Sequence, residues 1–300
     1  MTARQMYLLA ADHRRSFEKL FGLTTVGARD RRQLTAAKVI VVEALAHARE
    51  QRPDLDSVGV LLDDEYGAEA LAAAGRLGVQ VALAFERSGQ AVLDFEHADW
   101  RERIARLDAT SPPCIVKVLV RHRADDHSAG HDVQLARLVE VSEECAGRSA
   151  PFLLELLTPF TTAEQADTGV DALESQVRPR LVLDAIAELQ AGGVRPDLWK
   201  VEGIGDAARC AEVVAAVRAG GDDDVGVVVL GAGAPTETVN RWLRAAAAGG
   251  YSGFAVGRSI WTEPLAEHAA GAITADDARR WIAASYCTFV DTFAAASTVR

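Results

Sequence analysis

The strongest constraint on this chain is a strict alternation of two kinds of segment. Short apolar runs fall at 6–11, 57–62, 79–84, 114–120, 152–157, 197–201, 225–230 and 253–256. Most are rich in Val, Leu or Ile, as parallel strands covered on both faces are. Longer helix-like runs lie between them, clearest at 33–50, 68–77, 134–145, 180–191, 207–219 and 239–248, with a tail at 276–296. The third crossover, near 98–107, is the least marked. Eight strand–helix units over 300 residues predict an α/β fold, a (β/α)8 barrel. A doubly wound open sheet is the competing arrangement, because strand order is not written in one sequence. No Pro/Gly/Ser-rich linker or shift in composition interrupts the pattern, so one domain over residues 1–300 is expected.

In such barrels the chemistry collects where strands end and the following loops begin. The polar residues at those ends are Asp12, Asp63, Lys117, Glu155, Lys200 with Glu202, Gly231, and Gly257 with Arg258. Lys117 sits in Cys-Ile-Val-Lys-Val-Leu-Val, Glu155 in Phe-Leu-Leu-Glu-Leu-Leu, and Lys200 in Asp-Leu-Trp-Lys-Val-Glu-Gly. A charge inside a buried strand is costly unless it is paired or used. A lone buried Lys–Glu pair would only close the barrel. Two strand lysines with a strand glutamate favour a reaction centre, since buried ionisable clusters concentrate there. Two lysines close together in an apolar pocket are expected to lower one amine's pKa. A neutral amine attacks a ketone carbonyl, and the resulting iminium is an electron sink for breaking the adjacent carbon–carbon bond. Asp12, Asp63, Glu155 and Glu202 are the candidates for moving protons.

After the seventh run stands Leu-Gly-Ala-Gly-Ala-Pro-Thr, and after the eighth Val-Gly-Arg-Ser-Ile-Trp. Glycines let backbone N–H groups approach an anion, and Arg258 adds a charged fork. Gly231, Gly257 and Arg258 are therefore read as a phosphate grip; a plain glycine turn is the bland alternative. The Gly231-Ala232-Gly233 stretch lacks the third glycine of a dinucleotide fingerprint, and no cofactor is expected. His13 and Arg14 follow Asp12 where substrate groups arrive.

The net charge of −11 argues against nucleic acid and anionic membranes, whose phosphates would be repelled. No stretch approaches a membrane span, and positions 1–6 carry no apolar signal core, so a cytoplasmic protein is expected. The four cysteines, Cys114, Cys145, Cys210 and Cys287, form no Cys-x-x-Cys pair and read as free thiols. His122, His127 and His131 share a polar loop at 121–132, but their spacing matches no metal signature and no metal is expected. Asp222–Asp224 reads as a solvated turn.

At these same residues the sequence resembles a known group. Leu8-Leu9-Ala10-Ala11-Asp12-His13-Arg14 resembles the first strand of class I aldolases of the tagatose-bisphosphate type. It is closer to the aldolase-like domain called DUF2090, fused to a sugar kinase in bacterial inositol catabolism. Leu61-Leu62-Asp63-Asp64-Glu65-Tyr66-Gly67, Val116-Lys117-Val118-Leu119, Leu153-Leu154-Glu155, Trp199-Lys200-Val201-Glu202-Gly203, Leu230-Gly231 with Ala234-Pro235, and Gly253 through Trp261 resemble its other motifs. The resemblance implies a barrel, a lysine iminium carrying a dihydroxyacetone-phosphate unit, and no metal. It implies Lys200 as the Schiff-base lysine, Lys117 as the second lysine, Glu155 as the proton-transfer carboxylate and Asp12 as a substrate-hydroxyl ligand. It further implies Asp63 lining the pocket, and Gly231 and Arg258 holding phosphate. The family reaction splits 2-deoxy-5-keto-gluconate 6-phosphate into dihydroxyacetone phosphate and malonic semialdehyde.

His13 stands where tagatose-type aldolases tend to have Gln, and Arg121-His122-Arg123 is unexpectedly basic, which would suit a carboxylate-bearing substrate. The expectation is a small-molecule sugar-phosphate lyase, compatible with a homo-oligomer. Tagatose bisphosphate, sulfofructose phosphate and deoxy sugar phosphates are alternative aldol substrates. A phosphosugar isomerase or epimerase using Glu155 without an iminium, and a non-catalytic phosphometabolite sensor, are readings of other classes.

Overall fold

A computed structural model of the chain describes residues 5–55, 57–108 and 113–297; the reading of positions 1–4 lies outside these. The strands are β1 (Met6–Ala10), β2 (Val58–Leu62), β3 (Gln80–Ala84), β4 (Ile115–Arg121), β5 (Phe152–Leu157), β6 (Leu198–Glu202), β7 (Gly226–Leu230) and β8 (Gly253–Val256). Each pairs in parallel with the next, and β8 returns to β1 through Tyr7↔Phe254 and Leu8↔Ala255. The sheet is therefore a closed (β/α)8 barrel, and the open-sheet alternative is excluded.

Strands alternate their side chains between two faces, and the barrel separates these into two apolar layers. Leu8, Ala10, Leu61, Ala82, Ile115, Leu153, Leu198, Val228 and Ala255 fill the interior. The opposite faces of the strands pack on the surrounding helices in a much larger core that includes Val41, Val118, Leu154, Trp199 and Phe254.

All expected helical stretches are helical, usually with longer ends: Ala28–Gln51, Ala129–Arg148 and Thr236–Gly249 extend past the apolar periodicity. Short pieces at Val170–Ala172 and Leu173–Val177, ahead of the helix Arg178–Ala191, were not anticipated, and neither were three others. Arg15–Leu20 follows β1, Thr162–Asp167 follows β5, and Arg258–Ala269 follows β8 directly. The last contains Pro264, which reads as a helix breaker in isolation but is accommodated here. Among the described residues no helix is long and apolar enough to cross a membrane.

Candidate active site

The interior apolar layer stops one pleat below the strand ends. Two residues beyond Ile115, Leu153 and Leu198, on the same face of their strands, come Lys117, Glu155 and Lys200. The register sets Glu155 opposite Lys200 on adjacent strands. These residues floor a cavity of about 550 Å³, whose walls include Asp12, Glu86, Glu202, Gly231, Gly257 and Arg258.

One carboxylate joins the two lysines. Glu155 Oε1 lies 2.9 Å from Lys200 Nζ, and Oε2 lies 2.9 Å from Lys117 Nζ. Lys117 also reaches Asp12 Oδ2 at 2.7 Å and Glu86 Oε1 at 2.8 Å. Lys117 is fully buried and Lys200 is 3% exposed. Burial alone would push the Lys117 ammonium down, but Asp12, Glu155 and Glu86 overrule it and hold its pKa above the usual lysine range. The expected lowering between the two lysines is thus corrected for Lys117, because it faces three carboxylates. Burial likewise works against ionisation of Asp12 and Glu155, yet Lys117 and Lys200 hold both carboxyls below their ordinary values. Two ionised acceptors and one committed ammonium therefore surround Lys200.

Glu86 had no place in the sequence reading. It lies just past β3, where the inward alternation Ala82, Ala84 continues to a third residue. Its carboxylate takes Lys117 on Oε1 and the Leu119 amide on Oε2 at 3.2 Å. Arg14 spends its guanidinium on this same residue, at 2.7 Å to the carbonyl and 3.1 Å to Oε1. His13 lines the cavity with its ring edge-on to Trp261, the centroids 5.3 Å apart. Burial, opposed by Asp12 and helped by Lys200 and Arg258, lowers its pKa to about 4, so the ring is neutral at pH 7.

Glu202 faces the cavity from β6, but its Oε2 is tied to the wall. It accepts from the Thr158 amide (2.8 Å), the Thr158 hydroxyl (2.9 Å) and Arg178 (2.8 Å). Burial pushes its carboxyl above the usual range against the pull of Arg178. Asp63 does not line the cavity, which corrects the sequence expectation. The chain leaves β2 at Leu62, the alternation ends there, and Asp63 turns to accept the Tyr66 amide at 2.9 Å and the buried Lys38 ammonium.

At the far side of the mouth Gly231, Ala232, Gly233, Gly257 and Arg258 form one wall. Gly233 has φ +74°, and a Cβ there would stand 2.8 Å from the Arg258 guanidinium carbon. Only glycine permits both the left-handed turn and the arginine lying across it. Arg258 donates to the Ala232 carbonyl at 2.5 Å and has no carboxylate partner among the described residues. It also begins the helix Arg258–Ala269, whose N-terminal end faces the cavity. A cation, glycine backbone and a helix N-terminus suit an anion.

The basic Arg121-His122-Arg123 loop resolves differently from its appearance in sequence. Arg121 lines the cavity, whereas Arg123 is held by Asp125 and Glu164 at 2.7 and 2.8 Å. His122 is buried, stacked on His131, and both Nε2 atoms lie 2.8 Å from Glu188. Two histidines and a glutamate within 4.8 Å have the donor chemistry of a zinc site. The surroundings oppose it. Gln134 is oriented by accepting the Leu93 amide and donating to the Arg121 carbonyl, so its second N–H points at His122 Nδ1, 3.3 Å away. That contact needs a lone pair on Nδ1 and leaves the proton on Nε2, the atom a metal would take. Dialysis against EDTA is therefore expected to leave the thermal midpoint unchanged; a midpoint that fell and recovered with zinc would make the trio a metal site.

Fold and cavity together define a (β/α)8-barrel protein with a lysine–carboxylate centre at the mouth. The chain belongs to the bacterial family described as "Uncharacterized protein conserved in bacteria (DUF2090)", which matches residues 1–297. Solved structures of similar fold include fructose-bisphosphate aldolase from Plasmodium falciparum, with 13% identity, 97% of this chain and 91% of that one covered, and a TM-score of 0.65. Another is fructose-bisphosphate aldolase from Slackia heliotrinireducens, at 13% identity, 93% and 85% coverage and a TM-score of 0.55. A third is an archaeal fructose-1,6-bisphosphate aldolase at 15% identity, 90% and 94% coverage and a TM-score of 0.54. At these identities the likeness is one of fold.

Proposed function

We propose that the protein is a class I aldolase that cleaves a ketose phosphate through an iminium on Lys200. The observation that carries this reading is the bridge Lys200–Glu155–Lys117, with Lys200 at the cavity floor and one carboxylate oxygen on each amine. Lys117 is committed to its ammonium by three carboxylates, so Lys200 is the nucleophile. Its neutral amine adds to the ketone carbon. Glu155, touching Nζ, takes the ammonium proton that Lys200 sheds to become the nucleophile; addition moves an N–H proton to the new oxygen, and Glu155 returns its proton so that the hydroxyl leaves as water. A carboxylate then takes the proton of the hydroxyl on the carbon to be released. The carbon–carbon bond breaks, its electron pair moves to the iminium nitrogen, and an aldehyde departs. Protonation of the enamine and hydrolysis return Lys200. Asp12, ionised at neutral pH, is suited to accept from a substrate hydroxyl. The archaeal aldolase of similar fold was solved with its catalytic lysine covalently bound to the carbinolamine intermediate of its substrate, which is the same chemistry.

The cavity's unpaired cations support an anionic substrate. Arg15, Lys19, Arg121 and Arg258 line it, and none has a carboxylate partner among the described residues. Arg121 ends β4 and Arg258 follows β8, strands half a barrel apart. A substrate with a phosphate at one end and a carboxylate at the other suits cations on opposite sides of the cavity. 2-Deoxy-5-keto-gluconate 6-phosphate has that form, and dihydroxyacetone phosphate is the fragment that would stay on Lys200.

Borohydride with dihydroxyacetone phosphate is expected to inactivate the protein and place a stable label on Lys200 in the peptide map. A label on Lys117 alone, or none with an active protein, would refute the reading and favour an isomerase or epimerase without an iminium. Arg258→Ala is expected to lower kcat/KM on a phosphorylated substrate by about tenfold to a hundredfold, the equivalent of one charge-assisted bond of roughly 1.5–3 kcal/mol. The dephosphorylated analogue should be little affected; an equal loss on both would make Arg258 structural.

A further inference from the structure

We infer that Lys38 is a positioning residue: it clamps the two carbonyls that flank Asp12 and so aims that carboxylate at Lys117. Lys38 lies in the helix Ala28–Gln51, outside the barrel, and is completely buried. It does not line the cavity and does not meet substrate. An ammonium has three N–H donors. Here one goes to the Ala11 carbonyl at 2.8 Å, one to the His13 carbonyl at 3.0 Å, and one to Asp63. All three are spent, and none on the helix that carries the residue.

The two carbonyls belong to the stretch that leaves β1. The Ala11 amide is already fixed by the Leu61 carbonyl at 2.7 Å, which extends the ladder with β2 by one residue. Past that point the sheet no longer dictates the backbone. Lys38 takes over by fixing the peptide group that enters Asp12, through the Ala11 carbonyl, and the one that leaves His13, through the His13 carbonyl. With the chain held just before Asp12 and one residue beyond it, the backbone carrying Asp12 has little room to turn, and its Oδ2 reaches Lys117 Nζ at 2.7 Å. The Phe17 and Tyr66 rings, with centroids 5.1 and 5.8 Å from the ammonium, close the remaining sides.

Asp63 completes the device. Its Oδ2 neutralises Lys38, and its Oδ1 accepts the Tyr66 amide, so the turn after β2 supplies a fixed counter-charge. Lysine suits this place and arginine does not, because three acceptors converge on one point rather than on a planar fork. A bare structural pair would need neither carbonyl.

This inference rests on the proposed reading that Asp12 serves an iminium reaction, and the test separates the two. Lys38→Met alone leaves Asp63 as a buried unpaired charge and risks unfolding. The paired variant Lys38→Met/Asp63→Asn removes the charge from both sides and keeps an acceptor for Tyr66. It is expected to fold, to retain borohydride labelling of Lys200, and to lose about tenfold to a hundredfold in kcat with little change in KM, the size expected when a reacting group is displaced by about 1 Å. Placed on Asp12→Asn, the pair should cost nothing more, since the residue it aims is already disabled. In spectra of 15N-lysine-labelled protein, the Lys117 ammonium should move toward its position in Asp12→Asn. Full kcat in the pair, a loss that multiplies with Asp12→Asn, an unmoved Lys117 signal, or an unfolded pair would each overturn the clamp. A wild-type protein that takes no borohydride label would instead overturn the iminium reading, while the Lys117 signal still decides the clamp.

Discussion

Lys200→Arg is expected to fold normally and to lose at least about 10³ in kcat, because charge does not replace a covalent nucleophile. The substitution keeps a cation beside Glu155, which lies 2.9 Å from the native ammonium. The electrostatic cost to the fold is therefore small, and the loss reads the chemistry. A guanidinium does not shed its proton at any working pH and forms no iminium. The variant should also be indifferent to borohydride in the presence of dihydroxyacetone phosphate. The measurements are steady-state turnover, a thermal melt to establish folding, and mass mapping of the reduced protein. Turnover within tenfold of the wild type would remove Lys200 from the nucleophile's role, whatever the geometry around it.

Lys117→Met is expected to act on the fold first. The native ammonium, fully buried, lies 2.7–2.9 Å from Asp12, Glu86 and Glu155 at the cavity floor. Removing one partner of a buried ion cluster leaves uncompensated charge, which costs about 3–5 kcal/mol. In a chain of this size that lowers the melting midpoint by roughly 5–15 °C. The pH dependence has a definite sign. Asp12 and Glu155 are lowered in the folded protein from ordinary values of 3.8 and 4.5, so their contribution is present above those values and is lost as pH falls through the folded ones. Lys117 is raised above 10.5, so its contribution is present below that and is lost only as pH rises through the folded value. Between about pH 5 and 10 these three contributions are fully present; Glu86, whose carboxyl burial pushes above 4.5, has the opposite sign and favours the folded state toward acid. In Lys117→Met burial pushes the carboxyls up, and proton uptake in acid relieves them. The stability gap between wild type and variant should thus be widest near neutrality and narrow toward pH 4. Denaturant titrations at several pH values check this, and a gap that stayed constant into acid would show that the three carboxylates do not depend on Lys117.

Several parts of the candidate site were legible because a strand repeats every two residues. Once 114–120, 152–157 and 197–201 are recognised as strands, Lys117, Glu155 and Lys200 each fall two places beyond an interior apolar residue. Burial makes such charges conspicuous. Glu86 was less visible, since Phe85-Glu86-Arg87 reads as the polar start of a loop. Its signal was the inward series Ala82, Ala84, Glu86 running past the end of the strand. Lys38 gave no signal, because a lysine within a long amphipathic helix usually faces water. Asp63 was named because it stands at a strand end and was given the pocket by resemblance, but the inward alternation had already stopped at Leu62.

The sequence by itself determined the order and type of elements, the single run of eight parallel strands, and the concentration of charge at their ends. These follow from local periodicity, which is set by backbone geometry within a few residues. Closure of the barrel, and with it the meeting of β1 with β8, was decided only by tertiary structure. So were the partners of each charge: that Lys117 would face three carboxylates and be held charged, that Arg14 would be spent on Glu86, and that His122 and His131 would turn away to Glu188. Ionisation and orientation depend on groups brought within about 3–4 Å from distant parts of the chain, and no pattern along one sequence carries that distance.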